Sequence, residues 1–552
     1  MPNTIMIRCK NNGKQFPMPL GCTLGEVFEE SGLEMDYGPV SAYINNKMQG
    51  LNYRFYNSKD VEFLSLRCAN GIHVYLHTLF LVMVKAVEDI YPHSQLIMDG
   101  PVSHGYFCRL RLGRPVDDED VQAILYRMRE IVASDLPIHR IQCPIEEAIQ
   151  LFRSRGMESK AQLLETQGHL YAYYYQIENT IDYFYSALLT RTGQLHLFHL
   201  EKMDDGLLLR IPSIKNPGEL APKDPQPKMM AAMREHREWL DLMDVTTVGD
   251  FNAAVRKGRA AELINVSEAL QERKVTQMAD EIKERNARIV LIAGPSSSGK
   301  TTTSKRLAIQ LMCCGMHPHT ISTDNYFVNR VDTPKDENGE YDFECIGAVD
   351  TELFNQHMKQ LLKGERIELP RFDFPSGERK YEGKYLQISD KDVIILEGNH
   401  ALNPIMSAQI PEEDKYRIFV SPLSTIALDD HNNISTSDIR LLRRILRDYK
   451  YRGYSATETI HRRPSVDRGE MRWIYPFQEN ADATFNSALL YELNVIREQV
   501  TPILNQVNER EPEYAEASRL RKLLAYLVPV PPYQVPPTSL LREYAGGSSF
   551  KY

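Results

Sequence analysis

The sequence predicts an α/β protein, a parallel sheet with flanking helices over residues 288–502, preceded by two smaller α+β units. Three observations predict it. The run Gly294-Pro295-Ser296-Ser297-Ser298-Gly299-Lys300-Thr301 directly follows the apolar stretch 288–293. Further apolar runs at 318–323, 392–396 and 416–420 have the length of strands buried on both faces. Residues 5–66 instead carry short alternating runs around one helical stretch.

The glycine-bounded run fits G-x-x-x-x-G-K-[ST] and sits between an expected strand and a helix expected over 302–313, where Leu307, Ile309 and Leu311 are available for packing. In that setting the loop amides and the helix N-terminus present positive charge to phosphates. Lys300 reaches the β and γ oxygens, and the Thr301 hydroxyl can ligate Mg²⁺. A turn that merely needs glycines has no use for Lys-Thr. The sheet is therefore read as that of a P-loop NTPase, with Gly294, Pro295, Ser296, Ser297, Ser298, Gly299, Lys300, Thr301 and Thr302 as its ATP phosphate site and ATP with Mg²⁺ as the expected ligands.

Each later run adds one polar group at its end. Asp324 closes 318–323 and would face the crevice that holds Lys300, either as the base for an acceptor hydroxyl or as a capping aspartate. Glu397 closes 392–396, the place of an acid that organises Mg²⁺. Residues 438–453 form an arginine-dense helix with Leu441, Leu442, Ile445 and Leu446 as its apolar stripe. Its Arg440, Arg443, Arg444 and Arg447 read either as a solvated face paired to Asp438 and Asp448 or as guanidiniums closing over a triphosphate.

Taken in order, GPSSSGKT at 294–301, STDNYF at 322–327, YDFECIGAVD at 341–350, PRFDF at 370–374, VIILEG at 393–398 and DIRLLRRILRDYKYRG at 438–453 resemble the uridine kinase and phosphoribulokinase family of P-loop kinases. The resemblance covers most of 288–500. It implies Asp324 as the base acting on a nucleoside 5′-hydroxyl, with Lys300, Arg443 and Arg447 completing the catalytic set and Arg452 joining the lid. Thr301 and Glu397 would hold Mg²⁺, and Glu344, Phe372, Asp373 and Arg379 would line the acceptor pocket. The departures fall in that pocket. Glu344 stands where the family usually has aspartate, Phe372 where uridine kinases carry an aromatic hydroxyl, and 375–380 lacks their histidine. A pocket without those polar groups reads a base differently.

The N-terminal half resembles threonyl-tRNA synthetases, with residues 5–66 similar to their TGS domain and His73 to Phe152 to the start of their editing-type domain. His73 and His77, at i and i+4, could chelate zinc. That family completes the set with a cysteine and a histidine, and here those positions are Phe184 and Leu188, which carry no donor. Zinc-dependent editing is not expected, and a retained fold for structure, sensing or oligomerisation is.

Boundaries are drawn at 1–66 (TGS-like), 67–240 (editing-like α+β), 241–287 (helical linker), 288–502 (kinase-like) and 503–552 (C-terminal helix and proline-rich tail). The chain has 552 residues, 42% hydrophobic and 25% charged, as soluble proteins do. A net charge of -9 gives no support to tight nucleic-acid binding, although a local basic patch stays open. The longest apolar run, 76–87, carries His77, Thr78 and Lys85, so no membrane span is expected. Eight scattered cysteines without a CxxC suggest reduced thiols in a cytoplasm. The reading is an ATP- and Mg²⁺-dependent nucleoside kinase acting as a homo-oligomer. A sugar-phosphate kinase and an RNA-associated nucleotide switch are the alternatives, and the tail covers the site, joins a dimer or hangs free.

Overall fold

The computed structural model describes residues 4–552 apart from 167, 336–338, 340, 424 and 425. Its first unit has strands β1 (Thr4–Cys9), β2 (Gln15–Pro19), β3 (Ser41–Ile44), β4 (Lys47–Gln49) and β5 (Lys59–Leu64), in the order β2-β1-β5-β3-β4 with only β1 and β5 parallel. Helix α1 (Leu24–Ser31) starts where the capping residues dictate. The Thr23 hydroxyl accepts from the Glu26 amide while the Glu26 carboxylate accepts from the Thr23 amide.

The second unit begins with α2 (Ala69–Ile90). This helix is long and apolar enough to cross a membrane, but 83% of its most apolar window is buried inside the molecule, and it is a core helix. Strands β6 (Gln95–Val102) and β7 (Gly105–Arg111) pair as a hairpin, and α3 (Asp118–Ala133) is capped by Asp117. Then come β8 (His139–Pro144), α4 (Ile145–Ser154), α5 (Glu158–Glu165), β9 (Tyr171–Ile177), β10 (Thr180–Asp182), β11 (His199–Met203) and β12 (Gly206–Arg210). They complete sheets ordered β11-β12-β7-β6 and β10-β9-β8.

Helices α6 (Pro227–Leu242), α7 (Val248–Arg256) and α8 (Ala260–Glu284) follow an irregular stretch rich in proline. They are more than a linker. Leu263, Ile264, Val275 and Met278 of α8 lie in the same apolar core as Val290 and Ile292 of the parallel sheet that follows.

That sheet consists of β13 (Ile289–Ala293), β14 (His317–Ser322), β17 (Asp392–Glu397), β18 (Lys415–Ser421) and β19 (Ala483–Asn486), all parallel, in the order β14-β17-β13-β18-β19. The fifth strand, β19, extends the four that the apolar runs mark. It is four residues long and half of it is polar, too short and mixed to read as a buried strand. Helix α9 (Lys300–Cys313) leaves β13, with Leu307 and Leu311 in the core and Ile309 turned outward. The chain steps from β13 past β17 to β14, whereas β18 lies on the other side, so the loop after β13 sits where the strand order reverses. Helix α10 (Thr351–Leu362) and the hairpin β15 (Ile367–Asp373)–β16 (Glu378–Leu386) stand outside the sheet. The C-terminal part holds α11 (Thr436–Tyr451), α12 (Ala456–Trp473), α13 (Glu492–Leu504), α14 (Tyr514–Ala525) and the short α15 (Arg542–Ala545).

A buried ionic cluster joins the two halves. Lys160 Nζ lies 2.7 Å from Asp182 and 2.7 Å from Asp429, and His431 Nδ1 lies 2.7 Å from the other Asp182 oxygen. Burial alone would lower the Lys160 ammonium, but Asp182 and Asp429 outweigh it and hold it above its ordinary value. Burial would raise Asp182, yet Lys160 and His431 draw it down to about 2. The Lys160→Met variant leaves two buried carboxylates without their cation and should lose about 3–5 kcal/mol of stability. A urea midpoint equal to that of the parent chain would contradict this role.

Candidate active site

Gly294 ends β13 because nothing larger fits, since a Cβ there would lie 2.0 Å from the Val420 carbonyl. Gly299 sits at φ +91° where the loop turns into α9, and a Cβ would also meet Leu540 at 2.6 Å. Between them the buried Ser297 and Ser298 hydroxyls have no hydrogen-bond partner among the described residues, polar groups ready for a ligand. Lys300 Nζ donates to the carbonyls of Gly294 (2.8 Å) and Pro295 (3.2 Å) and to Asn399 Oδ1 (3.0 Å). Burial lowers its pKa against the pull of Glu397 and Asp324. The Thr301 hydroxyl donates to Glu397 at 3.2 Å, across the register that places Ile292 beside Glu397. Burial pushes the Glu397 carboxyl up to about 7, with Lys300 opposing and Asp324 and Glu543 adding to the rise. A hydroxyl and a buried carboxylate side by side suit Mg²⁺, which takes few protein oxygens and completes its shell with phosphates and water.

Asp324 lies in the single turn after β14, its amide held by Ser322 Oγ at 3.3 Å. Its carboxylate accepts no hydrogen bond among the described residues. Burial raises its pKa, and Lys300 and Arg452 pull the other way. Glu344 is brought to the same crevice, accepting from Asn399 Nδ2 at 3.2 Å. Burial and the charge of Glu470 raise its pKa. The other pocket residues are spent on the hairpin. Phe372 packs between Phe327 and Phe374, Asp373 pairs with Lys380 at 2.6 Å, and Arg379 pairs with Asp350 at 2.9 Å.

The arginines of α11 divide into two groups. Arg443 has no exposed surface. It is ion-paired with buried Glu492 and donates to the Ser487 carbonyl (2.8 Å) and, more weakly, to those of Ser297 (3.4 Å) and Ser298 (3.5 Å). It stands behind the phosphate loop as its support, not over the mouth as a lid and not on a solvated face. Arg440 does similar work, bonding the Ser296 carbonyl at 3.2 Å and Glu470 at 2.6 Å. Arg444, Arg447 and Arg452 converge on the single carboxylate of Asp448 at 3.3, 3.3 and 3.4 Å. Three guanidiniums on one acid leave an excess of positive charge. Burial and repulsion from Arg447 lower the pKa of Arg452, which feels Asp324 as well.

Several site residues escaped the sequence reading. Glu470 accepts from the Ser296 amide at 2.9 Å, and no motif in the sequence marks it. The tail folds onto the site. Leu540 packs on Gly299, and the Glu543 carboxylate accepts from the Thr302 amide (3.3 Å) and hydroxyl (2.6 Å). The Tyr552 hydroxyl lies 2.9 Å from the same Thr302 oxygen. A carboxylate thus occupies helix-terminal donors suited to a phosphate. Replacing Glu543 by Gln removes that charge, and ATP affinity measured by calorimetry should rise several-fold. Unchanged or weaker binding would show that the tail does not compete for those donors.

Residues 289–490 match the model of the Phosphoribulokinase / Uridine kinase family. A threonine–tRNA ligase of Methylococcus capsulatus is 29% identical over 192 residues, which are 34% of this chain and 30% of the ligase, so the chain spans about a third of that relative's length. Among solved structures, a possible uridine kinase of Bacillus stearothermophilus is 16% identical with a TM-score of 0.24, covering 37% of this chain and 99% of its own. A D-glycerate 3-kinase of Cryptococcus neoformans is 15% identical with a TM-score of 0.27, covering 37% of this chain and 89% of its own. The C-terminal region of this chain therefore matches the phosphoribulokinase and uridine kinase family, and its N-terminal region matches the threonine–tRNA ligases.

Proposed function

We propose that the chain transfers the γ-phosphoryl group of ATP to the 5′-hydroxyl of a nucleoside, giving a nucleoside monophosphate and ADP. The observation that carries this reading is the carboxylate of Asp324. It is free of hydrogen bonds among the described residues, raised by burial, and set in the field of Lys300 and Arg452. A nucleotide switch has no use for such a base.

In the proposed reaction the acceptor hydroxyl gives its proton to Asp324 as its oxygen attacks the γ-phosphorus, and the bond to the β-bridging oxygen breaks. Lys300 exchanges its contacts with the Gly294 and Pro295 carbonyls for phosphate oxygens. Arg444, Arg447 and Arg452 carry more positive charge than Asp448 neutralises, and the surplus meets the transferring group. Mg²⁺ held by Thr301 and Glu397 would supply charge neutralisation at the β and γ oxygens. Glu344, held by Asn399, would accept from a ribose hydroxyl. Arg443 supports the loop from behind.

The decisive assay is transfer from γ-labelled ATP across ribonucleosides, deoxyribonucleosides and sugar phosphates. Transfer to one nucleoside should fall by orders of magnitude in Asp324→Asn while ATP binding persists. Transfer only to a sugar phosphate, or binding without transfer to any acceptor, would refute the nucleoside reading. A base works only when deprotonated, and burial raises the Asp324 carboxyl. The acid limb of kcat/KM should therefore lie above the ordinary aspartate range of about 4, with activity lost as pH falls through it. A profile flat down to that range would exclude Asp324 as the base.

A further inference from the structure

A cavity of about 720 Å³ lies far from the phosphate loop in sequence, where three parts of the chain meet. The hairpin β3–β4 gives Tyr43 and Lys47, strands β8 and β9 give Arg140 and Tyr173, and α14 gives Arg519 and Lys522. Its size is that of a small-molecule pocket.

The charge of this chamber is opposite to that of the chain. The protein carries a net -9, yet four cations line the cavity against one acid, Glu516. That acid is already taken by Arg519 at 2.8 Å. Lys47 pairs with Glu509 at the rim. Arg140 and Lys522 form no ion pair among the described residues. Arg140 instead stacks on the Tyr173 ring at 3.9 Å, and Lys522 is held below its ordinary value by burial and by the charges of Arg140 and Lys47. Both side chains are exposed at the chamber, and neither has a carboxylate partner among the described residues. Tyr43, Tyr173, Tyr185 and Tyr514 supply flat faces around them.

The histidine pair of the second unit does not account for this space. The His77 Nδ1 bonds Ser186 Oγ, and its ring stacks on Phe184 at 5.6 Å behind the wall. The chamber instead owes one side to α14, which belongs to the C-terminal half.

The geometry points to a binding site for a ring-bearing phosphate ester, a free nucleotide, whose phosphate meets Arg140 and Lys522 and whose ring lies among the tyrosines. Occupation of this site reaches the kinase half through one residue. Arg519 lines the cavity and also grips Asp438, in the first turn of α11, at 2.5 and 2.8 Å. The same helix carries the arginines that hold the phosphate loop. A ligand that drew on Arg519 would change the setting of α11, and nucleotide bound at the loop would reciprocally change affinity at the chamber.

The test is calorimetry of nucleoside monophosphates on the full chain carrying Lys300→Ala, which weakens the phosphate loop and makes the result independent of kinase activity. The expected result is saturable binding that falls at least tenfold with Arg140→Ala plus Lys522→Ala, recovers with Lys522→Arg alone in place of the double change, and leaves the thermal melting curve in place. Binding indifferent to those substitutions, or none at millimolar nucleotide in the folded protein, would overturn the site. Inorganic phosphate binding as tightly as nucleotide would remove the ring from the assignment. A short single-stranded RNA binding where mononucleotides do not would overturn the free ligand.

Discussion

The nucleotide site depends on a charge pair buried behind it. Arg443 and Glu492 have no exposed surface, and through Arg443 the pair ties the Ser297 and Ser298 carbonyls to the loop after β19. A phosphate loop turns its amides toward the ligand, so its carbonyls point back into the protein and must find donors there. A guanidinium offers several donors in one plane and keeps its proton under any burial a protein imposes. Few other side chains could satisfy three carbonyls and an acid at once. That single requirement fixes the position of α11 against the loop, and with it the position of every other arginine the helix carries.

From that placement follows a division of labour within one stripe of like residues. Arg440 and Arg443 face inward and hold the loop, whereas Arg444, Arg447 and Arg452 gather on Asp448 with charge to spare. The acids around Lys300 are the complement of this arrangement. Asp324, Glu344, Glu397 and Glu470 crowd one crevice, and burial raises the first three above their usual range. Such crowding is costly without cations, and Lys300 and the arginines of α11 supply them.

Much of this was legible in the sequence because it is local. A strand, glycines and Lys-Thr read together within fourteen residues specify the loop, and Thr23 with Glu26 specifies the start of α1. What could not be read was set by distant partners. The arginine helix offers two faces, and only the position of Glu492 decides that Arg443 turns inward. Strand β19 is too short to show a pattern, and Glu470 needed a register between α12 and the loop that no spacing encodes. Asp373 and Arg379 sit in the expected motif, yet the hairpin pairs them with Lys380 and Asp350.

The cap on the phosphate loop comes from the far end of the described chain. Glu543 lies 241 positions beyond the Thr302 that it holds, and Leu540 seals the turn at Gly299. Domains assemble as they leave the ribosome, in the order in which they are made. The loop, its strand and its helix are therefore complete while the cap is still unmade. A nascent chain would display an open phosphate cradle for the whole interval, and a nucleotide present in the cell would reach it before the protein's own carboxylate.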